Sequence, residues 1–148
     1  MAANLTASGP TGGVAFMVYP YAPQTNMAIN TLVVVTMDTE VFDVGGNFAS
    51  NAFTAPVTGK YQINASIRIG NLDTASAYDE IYVTTSNKAY YTILSPKLAS
   101  DPAYWTMNWS GITDMDANDT AYCSYYQSGG SQQTDLHTSS YFSGFLVA

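Results

Sequence analysis

The clearest periodic signal in the chain lies at residues 61–69, Tyr-Gln-Ile-Asn-Ala-Ser-Ile-Arg-Ile. Apolar side chains hold every odd position there and polar ones every even position. Successive side chains of a strand point to opposite faces, so this pattern predicts a strand with one wet face and one face on a core. Runs rich in β-branched and aromatic residues predict further strands at 14–18, 31–36, 80–85, 90–94, 104–109, 120–126 and 141–147. Clusters of Gly, Pro, Asn, Asp and Ser punctuate them at 71–77, 95–96, 100–102, 114–119 and 128–134. No apolar stripe of helical period runs through the chain. The pattern predicts an antiparallel all-β sandwich or jelly roll.

Two predicted strands break the alternation. The segment Tyr141-Phe142-Ser143-Gly144-Phe145-Leu146-Val147 is apolar on both faces, and so is the run Val33-Val34-Val35. One face can meet the sandwich core. The other needs cover, either a long loop or a second copy of the chain.

Composition narrows the function classes. The chain has 148 residues, which suits one β domain. We read 1–13, with its Ala-Ser-Gly-Pro-Thr-Gly-Gly run, as a flexible leader and 14–148 as the domain. Charged residues make up only 10% of the chain against a usual ~25%, so polarity is carried by uncharged side chains or surface is covered by other chains. The net charge of −7 leaves no basic patch for phosphates and argues against nucleic acid and anionic lipid. No apolar stretch reaches the ~18 residues of a membrane span. The first residues lack the basic start and apolar run of a secretory signal, so the expectation is a protein made in the cytoplasm or a mature fragment. The single Cys123 has no intrachain partner and reads as a buried structural thiol.

Residues 53–61, Phe-Thr-Ala-Pro-Val-Thr-Gly-Lys-Tyr, resemble a signature of the C1q-like domain family, with Asn47-Phe48 just upstream. The Tyr-Phe-Ser-Gly-Phe-Leu-Val end resembles that family's closing strand, and Asn118-Asp119-Thr120 stands where many members have a Gly-Asp turn. The resemblance implies a ten-stranded antiparallel jelly-roll sandwich of the C1q/TNF-like kind that assembles as a homotrimer around an aromatic-rich axis. Tyr61, Tyr125, Tyr141, Phe142 and Phe145 are the candidates for that trimer interface. The short acidic sequence, rich in Asn, Ser and Thr, resembles bacterial and bacteriophage copies of the domain. That likeness implies a virion surface protein made in the host cytoplasm, a capsid decoration or the knob of an appendage, with other virion proteins or a host-surface glycan as partners. The alternative is a soluble lectin-like module that binds a glycan or a bacterial surface component.

Candidate chemistry is sparse. His137 is the only histidine, and no Gly-x-Ser-x-Gly elbow or phosphate loop accompanies it, so no enzyme is expected. No cofactor is expected either. The one weak metal locus is a calcium site at Asp114, Asp116 and Asp119, which lack the Gly and distal Glu of an EF-hand loop. Tyr104, Trp105 and Trp109 form a candidate aromatic ligand patch, with packing into the core as the alternative.

Overall fold

The computed structural model describes residues 13–148, so the expected leader lies outside the described residues apart from Gly13. Twelve strands make up the described chain: β1 (Ala15–Tyr19), β2 (Val33–Val34), β3 (Thr39–Val44), β4 (Phe48–Ala49), β5 (Ala52–Thr54), β6 (Gly59–Gly70), β7 (Tyr78–Thr85), β8 (Ala89–Leu94), β9 (Tyr104–Met115), β10 (Thr120–Ser128), β11 (Asp135–Leu136) and β12 (Tyr141–Leu146). The expected ten strands become twelve among the described residues, and β2, β4 and β11 are only two residues long.

All pairings are antiparallel. Sheet A runs β9-β6-β12-β1-β3, with β11 beside β12 on the same flank of β6. Sheet B runs β8-β7-β10-β5-β4, with β2 beside β5 on one flank of β10. The alternation at 61–69 does what its period requires. Tyr61, Ile63, Ala65, Ile67 and Ile69 are buried, and the residues between them face outward. Opposing side chains come from Phe53, Ile81, Val83, Cys123 and Tyr125 of sheet B.

Phe16 is the hub of the core. Its ring lies 4.6 Å from Phe53, 5.2 Å from Phe142 and 5.4 Å from Phe48, centroid to centroid. These spacings fall in the range where aromatic pairs add to simple area burial. Gly144 sits on the core face of β12 because nothing larger fits. A Cβ there would stand 2.6 Å from Ile63 Cδ1 and 2.8 Å from Phe16 Cε1. Gly59 is required for a similar reason rather than for a special turn: its Cβ would lie 2.5 Å from the Ala148 carbonyl. The β4–β5 hairpin turns on Ser50 and Asn51, both at positive φ (52° and 66°), which is the geometry a two-residue type I′ turn requires.

Beyond the unexpected short strands β4, β5 and β11, three segments differ from the sequence expectation. The run at 31–36 pairs only at Val33–Val34. Strand β3 was not expected, because its Glu40 and Asp43 interrupt the apolar pattern at a sheet edge where charge is tolerated. Strand β9 continues to Met115, so the turn expected from Asp114 begins only at Asp116.

Candidate functional site

The outward face of sheet A is built by cross-strand register. Val44, Ala15, Phe145, Gln62 and Ile112 are successive partners across β3, β1, β12, β6 and β9. The next row is Phe42, Met17, Ser143, Asn64 and Ser110. Val44, Phe42, Phe145 and Ile112 remain 41–60% exposed, so one end of this face presents apolar side chains across the width of the sheet, interrupted on β6 by Gln62. Paired side chains on one face stand close enough to form a single surface.

The middle of the face is uncharged and self-bonded. Gln62 Nε2 donates to Asn64 Oδ1 and to Ser110 Oγ, both at 3.0 Å, and Ser110 Oγ donates to Asn64 Oδ1 at 2.8 Å. At the far end the Arg68 guanidinium lies 4.1 Å from the centre of the Tyr104 ring, within cation–π range, and donates to Ser139 Oγ at 3.2 Å. His137 Nδ1 sits 3.0 Å from the same Ser139 Oγ. The Asp135 carboxylate, the acid nearest in sequence, is turned away and accepts from the Asn26 amide and Asn71 Nδ2, each at 2.8 Å. No acid therefore completes a Ser-His arrangement here.

The five expected interface aromatics divide. Tyr61, Tyr125 and Phe142 have no accessible surface in the single chain and belong to its core. Tyr61 donates its hydroxyl to the Val57 carbonyl at 2.6 Å and packs at a tilt against Phe53, 5.5 Å between ring centroids. Burial pushes its phenol above the ordinary range. Tyr125 donates to the buried Asp79, whose other oxygen accepts from Ser76 Oγ at 2.6 Å. A side chain with no free surface has none to offer a second chain, which corrects the expectation for these three. Tyr141 and Phe145 do lie on the outward face of sheet A, Phe145 at 49% exposure. The residues missed were Phe42, Val44 and Ile112. Phe42 and Val44 lie on the unexpected strand β3, and Ile112 lies past the expected end of β9.

The expected ligand patch also divides. Tyr104 is on the outward face of sheet A beside Arg68, whereas Trp105 and Trp109 pair with Ile69 and Ala65 on the opposite, core-side face, where Trp105 stays 37% exposed. Trp109 closes the seam between the two sheets. Its ring packs over Gly111 and 4.9 Å from the Tyr90 ring, next to the bond from Thr92 Oγ1 to the Asn108 carbonyl. The two faces cannot form one platform.

The acidic turn is occupied by the protein itself. Asp114 pairs with Lys60 Nζ at 2.6 Å, and Asp119 Oδ2 accepts from the Asp116 amide and Asn87 Nδ2, each at 2.9 Å. Among the described residues no three His, Cys, Asp or Glu side chains gather as a cation site would require. Cys123 is buried and its thiol is pushed far up by burial, so it is not a reactive thiolate.

The outward face of sheet B has a different character. Tyr91, Tyr82, Ser124 and Val34 form one row across β8, β7, β10 and β2. Tyr126 and Tyr122 lie on either side of Ser124 along β10, and Tyr78 stacks on Tyr126 at 6.0 Å.

No protein-family model and no curated protein sequence matches the chain. Solved structures do. The globular domain of zebrafish complement 1qA superposes with a TM-score of 0.65 at 14% identity, covering 92% of this chain and 98% of that one. Murine APRIL superposes at 0.64 with 11% identity, covering 90% and 98%. At such identities the likeness is one of fold: two antiparallel sheets in the jelly roll of C1q and TNF-like domains.

Proposed function

We propose that this jelly roll is a non-enzymatic recognition module that works as a homotrimer, with the outward face of sheet A as the contact between copies. The apolar row Val44, Ala15, Phe145 and Ile112 carries the proposal. Half-exposed side chains of this size stand to gain roughly 1 kcal/mol each when a neighbour covers them. Interfaces of this kind place aromatic and aliphatic anchors at the centre of a polar rim. The three-fold number comes from the resemblance of residues 53–61 and 141–147 to C1q-like domains. The absence of an acid beside His137 and Ser139 supports a binding rather than a catalytic role.

Light scattering coupled to size exclusion tests the assembly. The expected mass is three times that of the 15.9 kDa chain. Phe145→Asp places a charge in the apolar row without touching the core and is expected to give single chains. A native chain that runs as a monomer at micromolar concentration refutes the trimer.

The finer placement, on a virion surface as capsid decoration or appendage knob, belongs to the same proposal. Its support is the short, acidic, Asn/Ser/Thr-rich sequence that resembles bacterial and phage copies of the domain. Mass spectrometry of purified particles tests it, and particles lacking the protein reject it.

A further inference from the structure

We infer that the outward face of sheet B is a binding platform for a neutral glycan. Five of the twelve tyrosines, Tyr78, Tyr82, Tyr91, Tyr122 and Tyr126, stand on this one face, which concentrates much of the chain's tyrosine at a single surface. Four of them form two ring pairs: Tyr78 with Tyr126 at 6.0 Å, and Tyr82 with Tyr91 at 5.8 Å. Tyr91 is 59% exposed at the open edge.

Ser124 lies at the centre of the face. Its strand neighbours Cys123 and Tyr125 point into the core, so its own side chain points outward. It is nevertheless fully buried among the flanking side chains, and its hydroxyl has no hydrogen-bond partner. A buried hydroxyl left without a partner is costly in a folded protein. The hydroxyl is closed off while the flanking tyrosine rings stay together; a ligand hydroxyl reaches it where those rings part, and then supplies the missing partner.

The charge of the face selects among ligands. Glu80 is the one carboxylate on it, is only 8% exposed, and accepts the Tyr82 hydroxyl. That bond, followed by burial, pushes the Tyr82 phenol up to about 12, so this tyrosine stays a neutral donor. No Lys or Arg stands among these rows to receive an anion, and the chain carries a net charge of −7. A neutral sugar matches such a surface. Its C–H face packs on the negative face of a tyrosine ring, and its rim hydroxyls meet the phenols and Ser124. The apolar row of sheet A lacks these hydroxyls, so the two faces suit different partners.

Affinity gel electrophoresis of the full chain tests this, with dextran, mannan, galactan and xylan as neutral probes and polygalacturonate as the charged one. At least one neutral polymer is expected to retard the protein, and polygalacturonate is not. Tyr91→Ala is expected to weaken retardation about tenfold. Ser124→Ala is expected to weaken it about two- to tenfold while holding or raising the unfolding midpoint, since no internal bond is lost and an unpartnered buried hydroxyl is removed. Tyr104→Ala, on the other sheet, is expected to bind as the native chain does. The inference is overturned if no neutral polymer retards the chain, if Tyr91→Ala and Ser124→Ala bind unchanged, or if Tyr91→Ala alters the oligomeric mass, which would make this face a contact between copies. It does not rest on the trimer: Phe145→Asp chains that are monomeric are still expected to bind.

Discussion

Adding one methyl group at position 144 should lower stability measurably. In Gly144→Ala the new Cβ would stand 2.6 Å from Ile63 Cδ1, 2.8 Å from Phe16 Cε1 and 2.9 Å from the Gln62 carbonyl oxygen. Non-bonded carbon contacts prefer about 3.5–4.0 Å, so each neighbour is roughly 1 Å too close. Ile63 can turn its terminal methyl. Phe16 cannot retreat easily, because Phe48, Phe53 and Phe142 surround its ring. The Gln62 carbonyl is held in the β6–β12 ladder. Overpacking of this kind costs about 1–3 kcal/mol, and two stiff neighbours place it in the upper half of that range. Removing a glycine from a strand returns about 0.5–1 kcal/mol. The net loss is roughly 1–2 kcal/mol, or about 2–8 °C in Tm for a chain of this size. Thermal unfolding followed by near-UV circular dichroism reads the shift, with protein concentration held fixed because association makes Tm concentration-dependent. Gly13→Ala, whose Cβ would meet nothing within 4 Å, is the control and should leave Tm unchanged. A Gly144→Ala protein with native or higher Tm would refute the packing argument.

Two further changes probe the buried polar groups. Burial raises the pKa of Asp79 above its ordinary value, with nearby Asp73 adding to the rise, while hydrogen bonds from Ser76 and Tyr125 oppose it. The folded state therefore holds a proton that the unfolded chain has released. This contribution to stability is complete below about pH 3.9 and is lost as pH rises through the elevated folded value. Asp79→Asn should flatten the fall in urea midpoint above pH 4, and a variant with an unchanged pH slope would contradict this. Tyr61→Phe removes the bond to the Val57 carbonyl and should cost about 0.5–1.5 kcal/mol in urea unfolding; no loss would show that water replaces the bond without penalty.

The long strands were legible because their period is a direct consequence of pleating. At 61–69 nothing but a half-buried strand satisfies the alternation, and the closing segment declared its need for cover on both faces by placing Phe142 and Phe145 three residues apart, hence on opposite sides. The edge strand β3 was not legible. An edge exposes its side chains, so charged and apolar residues mix there without penalty, and the short pieces β2 and β11 form only because the long strands β10 and β6 offer them partners. The candidate interface was half visible for the same reason: Phe145 stands on a strand the pattern reveals, whereas Phe42 and Val44 stand on one it hides.

The sequence by itself determined the class of fold and the alternation of side chains along each long strand. Tertiary structure decided which aromatics are core and which are surface. Alternation states that Tyr61 and Gln62 face opposite ways, but not which side of the sheet carries the second layer beyond it. The stacking of sheet B on sheet A buried Tyr61, Tyr125 and Phe142 completely and left Phe145 half-exposed. The same packing gathered five tyrosines from β7, β8 and β10 onto one outward face, a juxtaposition across residues 78–126 that no local pattern encodes. Side-chain direction is a property of one strand, whereas burial is a property of what lies above it.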